Sequence, residues 1–437
     1  MNATPWLYAL GVVVLVVGIA VSIALHELGH MVPAKLFGTK VTQYFIGFGR
    51  TLWSTRKGET EYGVKAIPLG GYVKIVGMLP PNKGDDPGTV RKSNTGMFTQ
   101  LAFDARSAEY EHVTPEDEPR LFYRLPWWKK AIVMAGGPVV NLVIAFILFA
   151  ALFMTIPSQN VENATTTVET VSDCAIPAAE AGRKCTAADP VTPAKQAGLT
   201  PGDTITSFNG TPISSWDQLT DLIRANGDSP ATIEYVRDGA EQQATVNTSV
   251  QPRPTKTDPD KVERVGFLGV SPYVPAQRED LGFAVATMGD MTVSTVKAIG
   301  SLPEKMVEVT KAAFGAERGQ DTPMSPVGAS RVAGELTSAE GATWSDRVFS
   351  VGLLLAGLNL FLGLFNLIPL LPLDGGHIAG ALWEGLRNAI ARLRRRPIPG
   401  PVDVAKMLPV AYAVGAVLLV MGIILVYTDI VNPVRLT

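Results

Sequence analysis

Four stretches of this 437-residue chain carry no charged side chain and are long enough to cross a bilayer: Trp6–Leu25, Ala131–Ile156, Val348–Leu373 and Met407–Thr428. About 20 apolar residues in a helix span the ~30 Å hydrocarbon layer. The first run has no basic segment before it and no small-residue cleavage site after it, so it reads as a retained span. Between the runs the pattern changes. Residues 41–78 alternate aromatic and β-branched side chains with Gly and charged turns, which predicts short strands. Residues 79–124 are rich in Pro, Asp, Glu and Lys and read as a mobile loop. Residues 190–250 run turn, strand, turn, helix, then a hairpin closed at Asp238-Gly239. Residues 280–317 mix apolar positions with scattered charges and predict an amphipathic helix near the outer membrane surface.

Composition agrees with a membrane protein: 46% of residues are hydrophobic and 18% charged, which favours several spans over one large core. The net charge of −2 gives no reason to expect a nucleic-acid partner. Charge placement orients the chain. Residues 31–130 hold fifteen Lys and Arg and residues 375–406 hold six, whereas the N-terminal tail has none and the C-terminal tail only Arg435. Positive loops stay in the cytoplasm, so both termini and residues 157–347 are expected outside. The Trp and Lys pairs of "PWWKK", residues 126–130, suit an anchor at the membrane–water boundary. Cys174 and Cys185 are too few for a four-thiolate zinc site. On the oxidising side they are expected either as a disulfide or as two free thiols.

The strongest chemical signal ends the first run. His26 and His30 are four residues apart, so on a helix they stack on one face and can hold one metal ion, while Glu27 can reach a metal-bound water. HExxH on a helix is the pattern of zinc peptidases: two ligands and a general base. Two of the four histidines of the chain are here, and ionisable groups at membrane depth are functional candidates. A catalytic zinc usually takes a third protein ligand. Position 36, where one zinc-peptidase class has a third His, is Leu36. The remaining candidate lies in "NLIPLLPLDGGH", residues 366–377, where Asp374 closes the third run as the histidines close the first. Both runs are expected to point the same way, which brings the two ends to one leaflet. His26 to Lys35 is nine residues, at most ~13 Å of helix, so the metal is expected inside the membrane toward its cytoplasmic side. Pro369 and Pro372 break the helix before Asp374, and Gly375-Gly376 allow a tight turn that brings the carboxylate to the metal. His377 is a rival ligand, expected just outside the coordination sphere.

These motifs resemble the site-2 protease family of intramembrane zinc metalloproteases, in its bacterial form with a single PDZ domain. HELGH matches the first family motif, and Asn366, Pro369, Pro372 and Asp374 match NxxPxxPLDG with its spacing. "GGPVVN" at 136–141 matches the GPxxN element that opens the second span. "AGLTPGD" followed by "NG" resembles the PDZ domains of bacterial proteases, which bind extended peptides by strand addition; a rigid cap restricting access is the other reading. "TPMSPVGASRVAG" matches the family's Gly-Pro-Val-Gly element only loosely.

The resemblance implies a polytopic α-helical membrane protein with four transmembrane helices, a membrane-associated β-region and an inserted extracytoplasmic α+β PDZ domain. The expected parts are residues 1–78 with HELGH and the β-region, a cytoplasmic loop at 79–129, a second span at 130–157, the PDZ region at 158–256, an amphipathic or gating segment at 257–345, and the last two spans at 346–437. It also implies a zinc metalloendopeptidase with one Zn2+ per chain, held by His26, His30 and Asp374, with Glu27 as base. Asn366 then holds the substrate backbone or the developing oxyanion. Asn141 supports the site from the second span or is a packing amide. Expected partners are the lipid bilayer and membrane-spanning substrates such as anti-sigma factors, cleaved in regulated intramembrane proteolysis. Two other classes compete: a membrane metal transporter, which has no need of Glu27, and an inactive PDZ scaffold, which has no need of HELGH or Asp374.

Overall fold

A computed structural model describes residues 5–81, 103, 104, 106, 107, 110, 113–177, 184–256, 261–319 and 321–434. Most of the 79–124 loop lies outside the described residues, as does Arg435. The chain forms two compact units: residues up to Ile156 with those from Asp280, and Pro157–Glu279.

In the first unit the opening apolar run becomes one helix, α1 (Pro5–Leu36), which continues through HELGH and ends just before Gly38, whose φ is +81°. Two strands follow, β1 (Val41–Lys57) and β2 (Thr60–Ile75). Each folds back on itself near glycines of positive φ, Gly47 and Gly49 in β1 and Gly70 in β2. Their pairing therefore makes four short segments in the order 53–57, 61–64, 43–46, 71–74, the two outer pairs antiparallel and the central pair, 61–64 with 43–46, running in the same direction. The 71–74 segment is an edge: it pairs with 43–46 on one side, and a Cβ at Gly71 would lie 3.1 Å from Ile23 and Glu27 of α1.

The second span is α2 (Trp127–Thr155). Met31, Val41, Ile75, Phe122 and Val133 form one buried cluster that joins the end of α1, the sheet and the start of α2. Glycines bring α1 and α2 into backbone contact: a Cβ at Gly136 would lie 2.0 Å from the Gly29 carbonyl oxygen. That carbonyl has no helical partner four residues on, because Pro33 lacks an N–H.

The second unit contains a four-stranded antiparallel sheet of β3 (Thr204–Phe208), β4 (Thr211–Pro212), β5 (Pro230–Arg237) and β6 (Ala240–Asn247), in the order β4-β3-β5-β6. Helix α3 (Trp216–Asn226) buries Leu219 and Ile223 in the same core as Phe208 and Ile233. Cys174 and Cys185 are disulfide-bonded. The unit extends past residue 256, the boundary expected for the PDZ region: Val262–Phe267 pairs with Ser249–Pro254, and Val270–Pro272 pairs with Val168–Val171.

The first unit resumes with α4 (Leu281–Ala313), α5 (Pro326–Ser338), α6 (Trp344–Asn366), α7 (Asp374–Leu393) and α8 (Leu408–Val431). Among the described residues four helices are long and apolar enough to cross a membrane; they correspond to α1, α2, α6 and α8. The third span departs from the sequence reading. It ends at Asn366 rather than Leu373, because Pro369 and Pro372 cannot donate to the ladder, and residues 367–373 form turns. Gly375 and Gly376 make no tight turn either. Both sit in the first turn of α7, where a Cβ at Gly375 would lie 2.1 Å from the Ile368 carbonyl oxygen, so the missing side chains let α7 pack on those turns. Within α8 only Thr428 and Asp429 are buried. Asp429 pairs with Arg318 at 2.7 Å and accepts from the Ser325 backbone N–H at 2.6 Å, which ties α8 to the α4–α5 connection.

Candidate metal centre

Near the end of α1, the 3.6-residue period puts His26 and His30 one above the other, and α7 begins with its first residue against them. The Asp374 Oδ2 atom lies 3.2 Å from His26 Nε2 and 3.3 Å from His30 Nε2. The two Nε2 atoms are 3.2 Å apart. Among the described residues these three side chains form the one group of His, Cys, Asp or Glu with ligand atoms close enough to share an ion.

Two observations test whether this group fits a metal. The first is spacing. Three ligands of a tetrahedral zinc, each about 2.0–2.1 Å from the ion, lie ~3.3 Å from one another, and the observed triangle has sides of 3.2, 3.2 and 3.3 Å. The second is hydrogen-bond logic. His30 Nδ1 lies 2.9 Å from the Val133 carbonyl, which can only accept, so Nδ1 carries the proton. In the neutral ring Nε2 is then bare and faces a carboxylate oxygen and a second imidazole nitrogen. A proton relieves one such pair, whereas three mutually close donor atoms call for one cation at their centre. The residues fit the ion.

Val133 also orients the His30 ring, the outer-sphere support that metal-bound histidines usually have. Gly137 leaves the space open: a Cβ there would lie 2.3 Å from His30 Nε2 and 2.7 Å from His26 Nε2. The triad opens into a cavity of about 420 Å3. Glu27 lines it beside the two histidines, and Gly70 with Gly71, Tyr72 and Val73 of the edge segment form part of its wall. Asn141, Asn366 and Pro372 line it as well, and Asn141 is 2% exposed with a buried Oδ1 that has no partner. His377 also lines the cavity but is not in the ligand group. Pro369 is exposed and is not part of the wall, so its place is in the helix break.

Sequence reasoning missed the groups that act through backbone or absence: the Val133 carbonyl, Gly137, and the Gly29–Gly136 contact. The paired small residues of HELGH and "GGP" were the available signal, since small residues mark close helix contacts in membranes. It also missed Lys130 and Glu384, a buried ion pair joining α2 to α7 with N–O distances of 2.8 and 2.9 Å.

A helix-borne HExxH pair, completed by a carboxylate from a second region inside a set of membrane-length helices, defines a membrane-embedded metalloprotease. Comparison with known proteins agrees. The model of peptidase family M50 matches residues 14–410. Zinc metalloprotease Rip1 of Mycolicibacterium smegmatis is 35% identical over 442 residues, covering 98% of this chain and 99% of its own length. Zinc metalloprotease Rip1 of Mycobacterium tuberculosis is 34% identical over 444 residues, with 98% and 99% covered. Metalloprotease MmpA of Caulobacter vibrioides is 26% identical over 381 residues, with 84% and 85% covered. The chain belongs to peptidase family M50 and is an intramembrane metalloprotease.

Proposed function

We propose that His26, His30 and Asp374 hold one ion per chain and that Glu27 is the general base of peptide-bond hydrolysis within the membrane. The metal is zinc, in keeping with the family and the Rip1 relatives. The observation that carries this reading is Asp374, far away in sequence, with one oxygen within 3.3 Å of both imidazoles. When bound, zinc supplies Lewis acidity that polarises the scissile carbonyl and acidifies water. Glu27 takes a proton from the attacking water and delivers it to the leaving nitrogen. A membrane helix bonds its carbonyls internally, so the substrate must unwind before attack. The edge at 71–74, on the cavity wall, supports capture of the unwound segment by strand addition. Asn366 donates to the substrate backbone or the developing oxyanion, and Asn141 supports the site from α2. Pro369 and Pro372 end α6 so that Asp374 can start a new helix at the metal.

The substrates are membrane-spanning proteins, with anti-sigma factors the class implied by the family resemblance. The β3–β6 sheet with α3 supports a PDZ domain in the Pro157–Glu279 unit. The Cys174–Cys185 disulfide and the Lys and Arg bias support placing that unit and both termini outside, with the metal toward the cytoplasmic side.

The test is to purify the native chain and Glu27→Gln, then measure zinc content and cleavage of a single-span substrate. The expected result is equal zinc and a cleavage rate at least ~10²-fold lower in the variant. Equal cleavage by both proteins refutes the assigned base.

A further inference from the structure

The far end of α7 carries chemistry that peptide hydrolysis does not use. The helix starts at the metal triad and runs beside the first turns of α2. Lys130 meets both Glu384 oxygens, and a Cβ at Gly385 would lie 2.6 Å from the Trp127 indole. α2 opens with Trp127, Trp128 and Lys129, both indoles exposed, the residue types that mark the membrane–water boundary. The turns of α7 beyond Gly385 therefore lie at headgroup level. Leu382 and Trp383, in the turn that contains Gly385, and Leu386, Ile390 and Leu393 beyond it are all exposed and fall within one stripe of ~100°. Ala381, Glu384 and Ala391 are buried on the other face. Arg392, Arg394, Arg395 and Arg396 follow, all exposed and without an acidic partner among the described residues. The neighbouring acids are already engaged: Glu384 with Lys130, and Asp403 with Arg106 at 2.7 Å.

We propose that this end of α7 is a docking surface for anionic phospholipid headgroups. The indole and aliphatic stripe enters the interfacial zone, and the four guanidinium groups take the lipid phosphates. An acidic peptide would meet the arginines but would leave the apolar stripe uncovered. The lipid surface satisfies both at once and holds the far end of the helix whose first residue is Asp374.

Trp383 reports on the contact. The native chain and Trp383→Phe are reconstituted in phosphatidylcholine vesicles holding a minor fraction of lipid with brominated acyl chains, and the difference in quenching isolates Trp383. Brominated phosphatidylglycerol is expected to quench that signal at least tenfold more effectively per lipid than brominated phosphatidylcholine, since each basic side chain contributes about fivefold. Arg392→Gln, Arg394→Gln, Arg395→Gln and Arg396→Gln, combined, bring the two lipids to parity. NaCl at about 1 M, where the screening length is ~3 Å, does the same in the native chain without any substitution. Equal quenching by both lipids in the native chain at low salt overturns the proposal. So does a phosphatidylglycerol preference that survives the added salt or the four substitutions.

Discussion

His30 shows how closely the site is specified at the level of single atoms. One ring nitrogen is committed to Val133, which leaves the other free for an ion, and Gly137 keeps the place for that ion open. Gly137→Ala puts a methyl group 2.3 Å from His30 Nε2, so zinc content by elemental analysis is expected to fall to background. Helix content by circular dichroism is expected to stay unchanged, because alanine is a better helix former than glycine. The grouping of His26 with His30 was legible because the period of one helix stacks them, and Asp374, which the structure brings to the same place from α7, was singled out by closing the third uncharged run. Val133 was not, because its contribution is a carbonyl that any residue would supply.

Elements place these atoms, and α7 is the one with most at stake. Its starting residue meets the histidines, and Lys130 with Glu384 pins its middle to α2. Lys130→Met leaves the buried Glu384 carboxylate without its cation, with only the Val402 N–H donating to it at 3.1 Å, and is expected to destabilise the protein by about 3–5 kcal/mol, whereas adding Glu384→Met restores most of that. Thermal unfolding of the single and double variants measures both, and chelator competition shows whether zinc is held less tightly when α7 is released. In the other unit, burial alone would raise the Asp203 pKa, but Arg237 and the Thr200 backbone hold it below the usual carboxylate range. Its stabilisation is therefore present above a pH of about 3.9 and lost as pH falls through the lower folded value. Arg237→Gln is expected to flatten the acid limb of that unit's stability against pH, read by denaturant unfolding. The spans were legible as uncharged runs. The end of α6 was less so, since apolar composition continues to Leu373 and only the missing N–H groups of Pro369 and Pro372 end the helix earlier. The pairing order that makes 71–74 an edge depends on where β1 and β2 fold back, and alternation alone does not set that.

For the whole molecule, the proposed orientation predicts which groups reagents can reach. Intact cells treated with a mild reductant and then a membrane-impermeant maleimide are expected to label Cys174 and Cys185. Labelling only after the membrane is opened would reverse the assigned sides. The extent of the Pro157–Glu279 unit was only partly legible, because the strands after residue 256 are short and pair with partners distant in sequence, such as Val168–Val171. The triad itself is most directly tested by anomalous diffraction at the zinc absorption edge from crystals of the purified chain. A single peak about 2.0–2.2 Å from His26 Nε2, His30 Nε2 and an Asp374 carboxylate oxygen is the predicted result. A peak bonded to His377 with Asp374 out of reach, or one lying away from the two histidines, would contradict it.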